Sequence, residues 1–105
     1  MSVLMEFSMF PTDKGESVSA YVSRILTFID GSGASYRLTP MGTIVETDTL
    51  DEALRILSEA HKCLDPDCNR VYASVKLDIR KGRKSGLTQK IESVEKSVGR
   101  KLKGS

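Results

Sequence analysis

Residues 70–80 form the longest alternating run. Val71, Ala73, Val75, Leu77 and Ile79 fall on one side, and Tyr72, Ser74, Lys76, Asp78 and Arg80 fall on the other. A period of two belongs to an extended strand with one apolar and one polar face. A protein that carries such a strand must cover one face of its sheet and can leave the other to water, to a ligand or to a second subunit. This constraint governs the reading of every other segment.

Val3, Met5, Phe7 and Met9 alternate in the same way over residues 3–10, and Pro11–Gly15 breaks that strand. The period changes over residues 17–30. Val18, Tyr21, Val22, Ile25, Leu26 and Ile29 follow helical spacing, Ser17 suits an N-cap, and Gly31-Ser-Gly33 ends the segment. Two short strands follow, Tyr36–Thr39 and Thr43–Thr47, with Pro40-Met41-Gly42 as the turn between them. Thr49-Leu-Asp-Glu52 is a capping-box pattern. It opens a helix whose expected stripe is Leu50, Ala53, Leu54, Leu57 and Leu64, ended by Asp65-Pro66. After the long strand and the basic loop 81–86, Leu87, Ile91, Val94 and Val98 mark a last helix with a narrow apolar seam.

The order β-α-β-β-α-β plus one helix predicts an α+β ferredoxin-like sandwich with an additional C-terminal helix, formed as a single domain over residues 1–105. A domain of this size has a modest core, which oligomerisation often reinforces. No apolar run reaches the roughly 20 residues that span a bilayer, and the opening residues carry no signal-peptide pattern. A cytoplasmic protein without a membrane partner is expected.

Charge is unevenly placed. Residues 1–75 hold 6 Lys/Arg against 11 Asp/Glu, a net of −5, whereas residues 76–105 hold 10 against 3, a net of +7. A basic tail is one sign of a nucleic-acid partner, but it also fits a solvated helix or the acidic part of a second subunit. Base-stacking modules of this fold need exposed aromatics on the central strands. Tyr72 followed by Ser74, Lys76 and Asp78 is a poor platform for bases, so no nucleic-acid partner is expected.

Catalytic and metal chemistry find little support. The sequence has one histidine, His61, and neither a nucleophile–base constellation nor a phosphate loop. Cys63 and Cys68 form one loose pair with no second pair elsewhere, which suits free thiols at a helix end better than a zinc site or a disulfide. No catalytic residue, metal or cofactor is expected.

Interest therefore falls on the polar sheet face. With the apolar rows under the helices, Glu6, Ser8, Phe10, Tyr72, Ser74, Lys76, Asp78 and Arg80 share the other side. A second subunit packed on this face at about 10 Å would leave room for side chains or a flat ring. Charges enclosed there need partners. Lys76 could pair with Asp78, Glu6 or Glu46 of either subunit. The plain alternatives are a solvated face and an oligomeric structural or regulatory module that binds another small ligand or none.

Three segments carry a family resemblance. The opening Met1–Pro11, Tyr36-Arg-Leu-Thr-Pro-Met-Gly-Thr-Ile-Val-Glu46 and Arg70-Val-Tyr-Ala-Ser-Val-Lys-Leu-Asp-Ile-Arg80 are together similar to the small thiamine-binding protein family, related to YkoF-type thiamine and hydroxymethylpyrimidine binders. The closing Ile91–Arg100 also fits, so the resemblance covers almost the whole sequence, while Cys63–Cys68 matches no motif of the family. The resemblance implies a ferredoxin-like subunit that assembles through its sheets, commonly into tetramers as dimers of dimers. It implies binding of thiamine (vitamin B1) or its hydroxymethylpyrimidine moiety near subunit contacts, without turnover.

The polar inventory suits that ligand. Glu46 can accept from the exocyclic amine or a protonated ring nitrogen, and Ser8, Thr39 and Thr43 can satisfy the remaining edge. Phe10 can stack on the ring. Lys76 and Asp78 complete the expected ligand set, either at the ligand or as an intersubunit ion pair. If Val45 packs under the helices, Glu46 faces the open side near Glu6 and Ser8; a bulge at Pro40–Gly42 would reverse it.

Overall fold

The computed structural model describes residues 1–82 and 86–102. In sequence order the elements are β1 (Ser2–Pro11), α1 (Ser19–Gly31), β2 (Ser35–Thr39), β3 (Gly42–Thr47), α2 (Leu50–Lys62), β4 (Val71–Arg80) and α3 (Gly86–Val98). The strands form one antiparallel sheet in the order β2-β3-β1-β4. Strand β3 lies between β1 and β2, and β1 lies between β3 and β4, which is the ferredoxin-like interleaving of two βαβ halves.

Register follows the hydrophobic pattern. Met5 sits opposite Val45 on one side and Leu77 on the other, and Phe7 sits opposite Thr43 and Val75. A slip of one residue would move each apolar row to the other face, so burial fixes this pairing. The buried row Val3, Met5, Phe7 and Met9 packs with Val45 under Ile25 and Ile29 of α1 and Ala53, Ile56 and Ala60 of α2. Leu64 closes the core beyond the end of α2. Each fully buried large side chain contributes about 1.5–3 kcal/mol.

Two helix details differ from the expectations. Helix α1 starts at Ser19 with Val18 at the cap position and no capping side chain, so Ser17 lies outside it. The first turn instead closes on the Val18 carbonyl, which accepts from the N–H groups of Tyr21 and Val22 at 3.0 Å each. In α2 the buried stripe is Ala53, Ile56 and Ala60, continued by Leu64, while Leu54 is exposed. One residue beyond Ala53, Leu54 is rotated by about 100° around the helix, away from the core. The Thr49 N-cap does form: Thr49 Oγ1 accepts from the Glu52 N–H at 3.2 Å.

Helix α3 takes an unexpected place. It touches β1 and β3, and the Leu87 N–H points to Glu46 Oε1 at 3.4 Å. Glu46 alternates with the buried Val45, so it belongs to the side away from α1 and α2. The polar face is therefore covered at the end that carries Leu4 and Ile44, its two aliphatic residues on the paired stretch of β1 and β3. Leu87 and Ile91 are half-buried there, whereas Val94 and Val98 are exposed.

Candidate functional site

The ladder between β1 and β3 stops at Phe7↔Thr43, but β1 continues to Pro11 alongside β4. Past Phe7, the β3 side of β1 has no strand against it among the described residues. The β2–β3 turn and α1 stand around this gap. They leave a notch of about 360 Å³ whose lining includes Phe7, Ser8, Phe10, Val22, Leu26, Leu38, Thr39, Met41 and Thr43. Its walls are mainly apolar.

Local chemistry shapes the notch. The Thr39 hydroxyl accepts from the Met41 and Gly42 N–H groups at 3.2 and 3.1 Å and donates to the Gly42 carbonyl at 2.8 Å, which draws the turn tight. A Cβ on Gly42 would stand 2.8 Å from the Phe7 carbonyl oxygen, so only glycine lets the turn press this closely on β1. The tight turn carries Leu38 and Met41, both exposed, to the rim. Phe10 is the opposite floor. Its ring is held by Tyr72 at a centroid distance of 5.9 Å with the planes tilted by 42°, an aromatic pair in a favourable range.

The seven expected ligand residues fall into three places. Ser8, Phe10, Thr39 and Thr43 all line the notch. Thr43 is buried on the helix side of the sheet, and the Thr39 hydroxyl is engaged in its own turn. Lys76 stands on the polar face directly opposite Glu6, with Nζ 3.9 Å from Glu6 Oε1. Asp78 lies opposite Leu4 on the same face.

Glu46 stands apart from the notch. It faces the polar side, opposite Leu4, and accepts the Ser2 hydroxyl at 2.6 Å and the Leu87 N–H. Leu4 and Ser8 are four residues apart, roughly 13 Å along the strand. Glu46 instead borders a larger and more polar cleft of about 620 Å³ at the other end of the sheet, together with Ser35, Asp48, Glu52 and Arg55.

Sequence reasoning missed the notch walls contributed by Val22, Leu26, Leu38 and Met41. One signal was available: an apolar Met41 between Pro40 and Gly42, at a turn position where polar residues prevail.

A third cluster ties α1 to the end of α2. Arg24 donates to both carboxylate oxygens of Asp67 at 2.7 and 2.8 Å and to the Cys63 carbonyl at 3.3 Å, and its guanidinium lies 4.8 Å over the Tyr21 ring. The guanidinium beside Asp67 lowers that carboxyl pKa to about 2. Burial raises the pKa of both thiols, and Asp67 adds to the effect at Cys68. Cys63 and Cys68 are free and protonated at neutral pH, the state that favours neither metal binding nor nucleophilic attack. Among the described residues no three His, Cys, Asp or Glu side chains are grouped to hold a metal ion, and no helix is long and apolar enough to cross a membrane.

The fold and the notch define a small α+β module of the ferredoxin-like class with a cleft of ligand size. Comparison with known proteins places it further. The profile of the thiamine-binding protein family matches residues 5–95, and the chain belongs to that family. The UPF0045 protein MJ1052 of Methanocaldococcus jannaschii is 35% identical over 92 residues, 88% of this chain and 91% of that protein. The UPF0045 protein Mb1933 of Mycobacterium bovis is 33% identical over 96 residues, 91% of this chain and 94% of that protein. The crystal structure of MJ1052 superposes with a TM-score of 0.80 at 34% identity, covering 89% of this chain and 95% of that one. A Thermotoga maritima protein provisionally assigned to thiamine biosynthesis or salvage superposes with a TM-score of 0.77 at 18% identity, covering 90% and 99%. That last likeness shows the shared fold.

Proposed function

We propose that the protein binds thiamine or its hydroxymethylpyrimidine moiety in the notch between β1, the β2–β3 turn and α1, and releases it unchanged. The observation that carries this reading is the convergence of Ser8, Phe10, Thr39 and Thr43 on one apolar gap in a member of the thiamine-binding family. A flat heterocycle gains from apolar walls, and Phe10 offers it a ring face. An aminopyrimidine edge carries a donor amine beside an acceptor nitrogen. The run of β1 past Phe7, which has no strand on its β3 side among the described residues, supplies the complementary backbone carbonyl and N–H, with the Ser8 hydroxyl adjacent. The rim residues Leu38 and Met41 are exposed in the single subunit. In this reading the site lies at a contact between subunits of a homo-oligomer, a tetramer built as a dimer of dimers. A cytoplasmic vitamin carrier of one domain, acting without catalysis, is the role that results.

The polar cleft beside Glu46 is the rival site, because Glu46, Asp48 and Glu52 suit a thiazolium cation. Against it, the Glu46 carboxylate already accepts from Ser2 and Leu87, and Arg55 brings a like charge to the cleft. Calorimetric titration of variants separates the two. The notch predicts that Phe10→Ala weakens thiamine or hydroxymethylpyrimidine binding by about 1–2 kcal/mol and Ser8→Ala by about 1 kcal/mol. Glu46→Gln then binds as the parent does. The reverse pattern, with Glu46→Gln weakened and Phe10→Ala unaffected, moves the site to the cleft.

A further inference from the structure

Among the described residues, none that lines the notch carries a charge. Its polar side chains are the hydroxyls of Ser8, Thr39 and Thr43. The Thr39 hydroxyl is spent on its own turn, and Thr43 is buried on the helix side. Ser8 is therefore the polar side chain that a ligand meets first. A charged group that gives up water in such a place finds no counter-ion, whereas a neutral polar group needs only its hydrogen bonds. The face of Phe10 attracts a cation, but that effect is smaller than the lost hydration of an enclosed ion.

The charges stand at the mouth instead. A smaller cleft of about 240 Å³ opens on the polar face and shares Phe7, Ser8 and Met41 with the notch, while Glu6, Ser74 and Lys76 complete it. The β1–β4 register sets Ser8 opposite Ser74 and, two residues along, Glu6 opposite Lys76. Lys76 Nζ lies 3.9 Å from Glu6 Oε1. A substituent that reaches out of the notch past Ser8 thus runs over two hydroxyls toward an ion pair of zero net charge. A thiazolium ring is drawn to Glu6 and repelled by Lys76. A phosphate group is drawn to Lys76 and repelled by Glu6. A hydroxyl both donates and accepts, so Ser8 and Ser74 serve it with no charge to place.

We propose that the notch selects the uncharged form of its ligand: an aminopyrimidine that carries a hydroxymethyl group, in preference to the cationic thiamine and to the anionic phosphate monoester of the same pyrimidine. The ring lies against Phe10, and the hydroxymethyl group leaves the notch between Ser8 and Ser74. The apolar walls disfavour a charge of either sign inside, and the Glu6–Lys76 pair disfavours either sign at the mouth. This selection rests on the reading of the notch given above and names the ligand class that the site prefers.

Calorimetric titration of the full-length protein with hydroxymethylpyrimidine, its phosphate monoester and thiamine tests the selection. Hydroxymethylpyrimidine is expected to bind about tenfold or more tightly than either charged compound. The two halves of the ion pair give opposite shifts. Lys76→Met leaves Glu6 as a lone anion and improves thiamine relative to hydroxymethylpyrimidine about threefold. Glu6→Gln leaves Lys76 as a lone cation and improves the phosphate monoester by a similar factor, modest because both side chains are largely in water. Thiamine or the monoester bound as tightly as hydroxymethylpyrimidine, in a protein where Phe10→Ala weakens all three, overturns the selection and leaves the notch as the site. Affinity ratios that neither Lys76→Met nor Glu6→Gln moves overturn the part given to the ion pair. Binding that ignores Phe10→Ala, or no binding of any of the three, overturns the notch reading and the selection together.

Discussion

Single residues divide into those whose facing the sequence dictates and those whose partner it hides. Alternation settles that Met5 and Val45 are buried and that Glu6, Ser8 and Lys76 are not, because a strand has only two faces. For Glu46 alternation leaves the facing open to a bulge at Pro40–Gly42, and it is the burial of Val45 in the structure that puts Glu46 on the polar side. Nothing in the pattern discloses that the Glu46 carboxylate receives Ser2 and the start of α3, since both lie about 40 residues away in sequence. The same holds for Arg24 and Asp67, 43 positions apart. Their pairing has a measurable consequence. The Asp67 carboxyl is lowered from 3.8 to about 2, chiefly by the two hydrogen bonds from Arg24. A carboxylate with a depressed folded-state pKa stabilises the fold above its unfolded value and loses that contribution as pH falls through the folded value. The ion pair is half exposed, so the effect is small and salt-sensitive. Urea midpoints of the parent and of Asp67→Asn should differ near pH 5, and the gap should close on acidification from about 4 to about 2. A gap that stays constant over this window would assign the difference to packing or neutral hydrogen bonding.

Elements are legible wherever periodicity and an end signal agree. The strand pattern and the interleaved helices give the ferredoxin-like order because period two and period 3.6 exclude each other over ten residues. Helix α2 has a start signal, and its cap forms as read. Thr49→Ala should therefore cost about 1 kcal/mol, read as a lower thermal or urea midpoint with the fold retained; an unchanged midpoint would mean that Asp51 and Glu52 at the first turn carry the helix start without the cap. Helix α1 lacks such a capping side chain, and it starts at Ser19, beyond the Ser17 that the sequence suggests. The stripe of α2 departs from expectation at Leu54 for a different reason. Hydrophobicity counts a leucine as core, while the fold leaves β4 uncovered and gives that leucine no sheet to meet. Helix α3 is recognisable by its seam, but a seam does not say which face it will cover. The helix touches β1 and β3, where the pairing sets Leu4 and Ile44 diagonally across the polar face.

At the scale of the whole molecule, the protein is extended for its length. Its Cα radius of gyration is 15.1 Å and its extents are 47 × 29 × 22 Å, against about 13 Å for a compact domain of 100 residues. Exposed apolar side chains mark where the extra surface lies: Leu77 and Ile79 on the β4 edge, Val94 and Val98 on α3, and Leu38 and Met41 at the turn that rims the notch. Each is apolar surface that the single subunit leaves uncovered, and the last borders the proposed site. The notch itself is not legible in the sequence as a cavity, because it arises from a mismatch in strand length: β3 ends against Phe7 while β1 runs on to Pro11. Four of its residues are nonetheless among those singled out from sequence, through their place in the strand motifs that the thiamine-binding family shares. Calorimetric titration of the parent protein with thiamine, thiamine diphosphate and hydroxymethylpyrimidine tests the central claim most directly. The account predicts saturable binding of thiamine or hydroxymethylpyrimidine, with the ligand recovered chemically unchanged; no binding heat from any of the three at millimolar ligand would contradict it.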